Sequence, residues 1–453
     1  MDGWPRQLPP WIDTWVRLGM SGRLKTPGLY GEAMSEGSQR PDDASEPGRR
    51  APASDEVRQA LAQTPRKLLV PGVCEPLAEL DAPIGCLPPV EAAPPCPSPS
   101  AAGLMLEAAD ISPGDRVLVQ GRAVGWLGLA ADALNGSGRV RIEEEHEALR
   151  ARWRSVRPFR MREQVRLDEA DGIENGFDRV VAWDPGPGAP RRLPRRLDEG
   201  GTVLVARPDP DEPELARLVQ HGDAQTTMPL TELAPAAGGP APTAGDVLRQ
   251  EALLATAWTD ERPSGLAREV GLSVDETIAS ALADQGLVRR APERAAGARV
   301  AFHLGYVQQT LGNLEQAALA YTASVEVLPT AEAYTFRGWV RSQQERLSEA
   351  IEDCRQAIDE DPTLGNPYND IGAYRLEQGR PAEAIEWFEK ALEAERYASP
   401  EFPYLNMARA RLMMEETDEA RAALEQALEL RPGFEPARRL LDRIDSGPDE
   451  LPR

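Results

Sequence analysis

The sequence predicts two fold classes in one chain: an α/β domain on a mainly parallel sheet, followed by an all-α solenoid of paired helices. Three observations carry this. Short β-branched runs at Val117–Val119, Gly138–Glu144, Val180–Trp183 and Thr202–Ala206 alternate with helical stretches, as βαβ units do. The run DRVLVQGRAVGW, residues 115–126, passes from a buried strand through a turn holding Gly121 and Gly125 into an apolar helix. In open α/β sheets nucleotide-like ligands sit at such a turn, because glycine admits close backbone approach and helix N–H groups face the ligand. The strict G-x-G-x-x-G fingerprint is absent, so a ligand-free tight turn is an equal reading of the spacing alone. The third observation is a repeat: Gly305, Gly338, Gly372 and Ala408 recur at spacings of 33, 34 and 36.

Composition narrows the function classes. The 453 residues carry a formal charge of −23, which argues against a nucleic-acid binder, since phosphate contacts need clustered positive charge. Lysine is nearly absent (Lys25, Lys67 and Lys390), so arginine supplies almost all the positive charge. The four cysteines form no C-x-x-C pair and the three histidines lie far apart, so no zinc site is expected and a reducing, cytoplasmic compartment is the default. Neither a signal peptide nor a membrane span is expected from the hydropathy pattern.

In chain order, residues 1–53 are rich in Pro, Gly, Ser and charge and are expected to be disordered. Ser54 caps a helix whose Val57, Ala60 and Leu61 share one face. Pro83-Ile84-Gly85 opens a proline-dense stretch to Pro99, and Ala101–Ala109 reads as a helix leading to the Pro113-Gly114-Asp115 turn. Gly138–Glu144 is a strand ending in acid, and Arg150–Arg166 is an arginine-covered helix and loop. Strand Val180–Trp183 precedes a short helix around Arg191–Leu197, and the Gly200-Gly201 turn precedes Thr202–Ala206. The domain so delimited covers 54–233. Residues 234–245 form a linker by composition, and 246–297 a small helical unit resembling a helix-turn-helix. The second helix of that unit offers Asp275, Glu276 and Asp284 and no basic residue, which favours a domain adaptor over a DNA reader.

Six landmarks in order carry a family resemblance: VRQALAQTPRKLLVPG (57–72), Pro83-Ile84-Gly85, ISPGDRVLVQG (111–121), Asp171-Gly172, FDRVV (177–181) and LDEGGTVLV (197–205). Together they are similar to the protein-L-isoaspartate O-methyltransferase family of S-adenosylmethionine-dependent enzymes. The resemblance implies a Rossmann-like methyltransferase fold with S-adenosylmethionine as cofactor. Gly121, Ala123 and Gly125 stand where the family has G-x-G-x-G, and Val119 where it usually has an acid. Glu144 matches the carboxylate that binds the cofactor ribose, and Asp171 the acid beside the adenine. Counting back from Asp115, Pro97 falls on the family's substrate-side hydroxyl and Ser98-Pro99 on its Gln-Pro, so the neighbouring Ser98 and Cys96 are the candidate catalytic positions that would substitute for it. Methyl transfer to a carboxylate asks mainly for in-line approach and a dry pocket.

Residues 298–433 contain four units in which each Gly or Ala is followed twelve residues later by Ala317, Ala350, Ala384 or Ala420, and then by Ser324, Ala357, Ala391 or Ala427. Pro329, Pro362 and Pro432 close three of the units. This is the tetratricopeptide pattern, in which small residues let two helices pack closely. The extra residues of Arg396–Pro403 predict a longer third junction, and 434–453 a capping helix and tail. A concave face lined by Phe302, Tyr306, Thr335, Trp339, Asn369, Phe402, Leu405 and Arg409 would suit an extended protein or peptide ligand, with part of this set expected to pack between helices. Two readings stand: a carboxyl methyltransferase whose array recruits protein substrates, or a non-catalytic interaction protein with a degenerate methyltransferase domain.

Overall fold

The computed structural model describes residues 54–87, 93–136, 139–156, 166–168, 176–185, 192–209, 212–221, 224–231, 243–258 and 291–445. The N-terminal segment expected to be disordered, Asp171, and the helix-turn-helix-like stretch from 259 to 290 lie outside the described residues. Among those described, no helix is long and apolar enough to cross a membrane. No group of three or more His, Cys, Asp or Glu side chains among them could hold a metal ion.

Helix α1 (Asp55–Ala62) starts where Ser54 accepts a hydrogen bond from the Val57 N–H. Helix α2 (Pro99–Ala109) is capped by Ser98 and ends on Asp110 in the left-handed conformation. Then come β1 (Val117–Gly121), α3 (Gly125–Asn135), β2 (Val140–Glu144), α4 (Glu147–Ser155), β3 (Arg166–Asp168) and β4 (Phe177–Trp183). Strands β5 (Leu197–Arg207), β6 (Glu214–His221) and β7 (Ala224–Pro229) complete a seven-stranded sheet of order β3-β2-β1-β4-β5-β6-β7. The five strands from β3 to β5 are mutually parallel, and β6 and β7 close the edge as an antiparallel hairpin. The mainly parallel α/β architecture predicted from the strand–helix alternation is therefore present.

Two local expectations change. The helix expected around Arg191–Leu197 is a single 3₁₀ turn, Leu193–Arg196, because Leu197 already belongs to β5. Gly200-Gly201 is not a turn before the strand but lies within it, at a register irregularity against β4, with Gly200 at φ +80. The side chains of Leu118, Phe177, Val180, Ala182, Leu193, Val203, Val205 and Leu218 form the core on one face of the sheet.

The described residues fall into two compact units, the first running to Leu328 and the second starting at Pro329. The first unit includes α5 (Ala244–Ala255), a 3₁₀ turn at Thr256–Trp258, α6 (Pro292–Thr310) and α7 (Leu314–Val327). The first helical hairpin of the repeat region thus packs in the same unit as the sheet. It is tied to the segment before α2: the Asp81 N–H donates to Gln316 Oε1 at 2.9 Å, and Gln308 Nε2 donates to the Asp81 carbonyl at 3.4 Å.

The second unit contains α8 (Ala331–Gln343), α9 (Leu347–Glu360), α10 (Asn366–Glu377), α11 (Pro381–Glu393), α12 (Glu401–Met413), α13 (Thr417–Leu430) and α14 (Glu435–Asp445). The recurring small residues sit where paired helices touch. A Cβ on Gly372 would lie 2.4 Å from the Phe388 ring, and Ala408 packs against Ala420, Leu424 and Ala427. Helix α14 covers the last pair through Ala437, Leu440 and Ile444. The longer junction before α12 is pinned by Arg396, which pairs with Asp361 and with Glu332 at 2.9 Å while its N–H donates to the Thr363 carbonyl.

Candidate active site

The strand order reverses between β1 and β4, and a ligand crevice in this architecture opens at the carboxyl ends of those two strands. Gly121 ends β1, in register with Glu144 of β2 and Trp183 of β4. Its φ of +142 and the Trp183 carbonyl, which would lie 1.9 Å from a Cβ, admit only glycine there. Arg122 reaches across the two strand ends to pair with Asp184. Burial raises the Asp184 carboxyl above its usual range, with Arg122 opposing the shift. Ala123 takes φ +56 with no exposed surface, a left-handed geometry that alanine adopts at a cost of about 1–2 kcal/mol.

Glu144 fills the mouth of this turn. Its Oε1 accepts from the Ala123 N–H at 2.9 Å and the His146 N–H at 3.0 Å, and its Oε2 accepts from the Val124 N–H at 3.0 Å. Val124 is the residue before α3, and that helix end has no other side-chain cap, so the carboxylate occupies the anion position of the helix N-terminus. Glu144 has 0% exposure, and burial raises its carboxyl to about 7 against the lowering effect of the three N–H donors. Behind the turn, Gly125 lies under the buried Trp153 ring, which leaves no space for a Cβ. Of the positions assigned by resemblance, Gly121, Ala123, Gly125 and Glu144 therefore do come together.

The substrate-side positions are differently employed. Ser98, expected as a catalytic hydroxyl, is 4% exposed, and its Oγ caps α2 by accepting from the Ala101 N–H at 3.1 Å. Its N–H donates to Glu251 Oε1 of α5 at 3.0 Å. Cys96, the other candidate, is buried, with its Sγ 2.9 Å from Cys86 Sγ. The Ser98 hydroxyl thus serves as a helix cap and the Cys96 thiol is enclosed. The Trp258 ring lies on Gly85, with carbon atoms 2.5–2.6 Å from an ideal Cβ there, and Trp258 Nε1 donates to the Pro83 carbonyl at 2.9 Å. Arg66, which lies over the Trp126 ring, donates to the Ala82 carbonyl at 2.6 Å and to the Leu80 carbonyl, and burial lowers its ionisation range.

Sequence reading missed Glu251, Trp258 and Arg66. One signal was available: Glu251 interrupts the apolar stripe that Val247, Leu248 and Leu254 draw along α5. Burial raises the Glu251 carboxyl to about 7, with the Ser98 hydrogen bonds opposing. A carboxyl raised in the folded state adds stability that is full below the ordinary carboxyl range and is lost as pH climbs to about 7. For this shift the loss amounts to at most about 3 kcal/mol. We expect Glu251→Gln to flatten the fall in Tm between pH 5 and pH 8 relative to wild type, measured by calorimetric scanning. An unchanged slope would show that the carboxyl titrates as an exposed group.

The groove positions divide. In the first unit Phe302 is fully buried and meets Tyr321 edge-on at 5.3 Å, so it packs inside the α6–α7 hairpin and does not line an open face. Tyr306 is 6% exposed and is likewise mostly enclosed. In the second unit Trp339 and Asn369 remain half-buried, and Phe402 packs edge-on against Phe434 at 5.0 Å. Asn369 Oδ1 accepts from Asn406 Nδ2 at 3.1 Å, and Asn406 Oδ1 accepts from Arg409 at 2.9 Å, a polar row along α10 and α12.

Comparison with known proteins agrees with both halves. Residues 46–232 match the family model for protein-L-isoaspartate(D-aspartate) O-methyltransferase, and 302–364 and 375–444 match tetratricopeptide repeat models. A protein-L-isoaspartate O-methyltransferase of Methanococcus maripaludis is 30% identical over 157 residues, 33% of this chain and 71% of the relative. Small glutamine-rich tetratricopeptide repeat-containing protein 2 of Saccharomyces cerevisiae is 36% identical over 76 residues, 17% of this chain and only 22% of its own length. Among solved structures, the first tetratricopeptide domain of Spaghetti (RPAP3), bound to an HSP90 peptide, is 23% identical. That match covers 26% of this chain and 93% of the domain, with a TM-score of 0.24.

Proposed function

The chain belongs to the protein-L-isoaspartate O-methyltransferase family, and from that premise we propose that it works as a protein-interaction module whose methyltransferase-like domain is a non-catalytic scaffold. The repeat array is the binding half, and a polypeptide segment is its ligand. The observation that carries the reading is Glu144. A ribose diol needs a carboxylate with free lone pairs facing a cleft, whereas this one is fully buried and already accepts three backbone N–H bonds. The residues therefore do not fit S-adenosylmethionine, the cofactor of the family.

The substrate side supports the same conclusion. Glu251 lies on Ser98, a position that the family resemblance assigns to the reaction, and Trp258 lies on the Pro83–Gly85 landmark. That face of the domain is also used to seat the first helical hairpin, through Asp81 with Gln308 and Gln316. Half-buried Trp339 and Asn369, with Phe402 and Arg409, are the residues we assign to peptide contact in the second unit. A cytoplasmic location belongs to this reading, favoured by the acidic charge and by four cysteines without a disulfide-framework spacing.

The test is a calorimetric titration of the full chain with S-adenosylhomocysteine. No heat is expected up to millimolar ligand. Micromolar binding to the full chain would restore the enzyme reading, with Glu144 released to hold the ribose.

A further inference from the structure

Two of the four cysteines are neighbours in space. Residues Ile84 and Cys96 form an antiparallel bridge, the Ile84 N–H donating to the Cys96 carbonyl at 3.0 Å and the Cys96 N–H to the Ile84 carbonyl at 2.8 Å. That pairing brings Cys86 and Cys96 together, Sγ to Sγ 2.9 Å, with 2% and 1% exposure. The separation exceeds a disulfide bond of about 2.05 Å by less than 1 Å.

We propose that Cys86 and Cys96 are an oxidation site, a reversible dithiol–disulfide pair that responds to peroxide-class oxidants. One thiol loses its proton and attacks a peroxide oxygen, giving a sulfenic acid as the O–O bond breaks and water leaves. The second sulfur displaces the sulfenic oxygen, which departs as a second water, and the disulfide forms. Two thiols and one hydrogen peroxide thus become one disulfide and two waters, and a thiol reductant reverses the change.

The position gives the bond a structural consequence. Cys86 follows Gly85, on which Trp258 rests, and Cys96 lies two residues before Ser98, whose N–H holds Glu251. The disulfide joins the two segments that carry α5 and its 3₁₀ extension, and closes a short loop whose entropy the unfolded chain loses. The reduced form leaves those segments held by the Ile84–Cys96 bridge, by the Asp81 carboxylate, which accepts from the Ser100 N–H at 2.9 Å and from its hydroxyl, and by packing. Burial slows the chemistry, because it pushes the Cys96 thiol well above its usual range. The pair is therefore expected to react with peroxide more slowly than an exposed cysteine. The other two cysteines, Cys74 and Cys354, are also buried and serve as internal controls.

The experiment uses the full chain treated with hydrogen peroxide, quenched, denatured and assayed for free thiols. Wild type is expected to fall from four thiols to two and to return to four with dithiothreitol. Cleavage after glutamate should leave peptides 80–91 and 92–107 joined, since Glu91 lies between the two cysteines. The oxidised form should unfold at a higher temperature, and Cys86→Ser should abolish both the link and the rise. Four thiols surviving in the folded, oxidised protein would overturn the assignment. So would a link to Cys74 in place of Cys96, a result read on wild type alone whether or not the serine variant folds.

Discussion

Glu144→Ala should be among the most destabilising single changes in the α/β domain. It strips the acceptor from the N–H groups of Ala123, Val124 and His146, all bonded at 2.9–3.0 Å to one buried carboxylate. Each orphaned buried donor costs about 1–3 kcal/mol, and the relief of no longer burying an acid offsets part of the sum. We expect a net loss of about 3–5 kcal/mol at pH 6, measured by urea unfolding of the full chain. The loss should shrink toward pH 8, because the wild-type carboxyl, raised to about 7, pays for ionisation there while alanine does not. Glu144→Gln separates the contributions: one oxygen is retained for two donors, and its amide opposes the third. A loss under 1 kcal/mol for Glu144→Ala would mean that the loop N–H groups find water, and that the crevice is open.

The second large effect concerns Glu143, one residue earlier and pointing to the other side of the strand. Its carboxylate is fully buried and paired with Arg196, at 2.9 Å from one guanidinium nitrogen, and with Arg141 at 3.1 Å. Arg196 also lies over the Phe177 ring, so the pair ties the turn before β5 to β2 and β4. Glu143→Ala leaves a buried cation and should cost about 3–5 kcal/mol. The double variant Glu143→Leu with Arg196→Met should recover part of that loss, because it removes the desolvation cost of the Arg196–Glu143 pair together with its attraction, while Arg141 still loses the Glu143 carboxylate. A double variant as unstable as the single one would show that Arg196 holds the turn by packing against Phe177 and not by charge.

The sequence was explicit wherever a short-range rule decides structure. Alternating apolar runs located β1, β2, β4 and most of β5. Ser54 and Ser98 fall at helix starts, and Ser98, a catalytic candidate by resemblance, is a cap. The small residues of the repeats gave the helix pairs, since steric room at Gly338, Gly372 and Ala408 is a property of each residue itself. The glycine turn and Glu144 were also found, because strand ends in a parallel sheet converge on one edge and both residues end strands.

Only the tertiary structure decided how those residues are used. A carboxylate at a strand end can face a ligand or its own backbone, and the choice lies in how closely the Ala123–Val124 amides approach it, a distance no spacing encodes. Glu251 and Trp258 come from a helix some hundred and fifty residues beyond the site they cover, and contact at that range depends on packing of whole elements. The same holds for the two thiols: ten positions apart in a proline-rich stretch, they meet because the Ile84 and Cys96 backbones pair. Local sequence sets which surfaces exist, and the competition among them for burial sets which remain open.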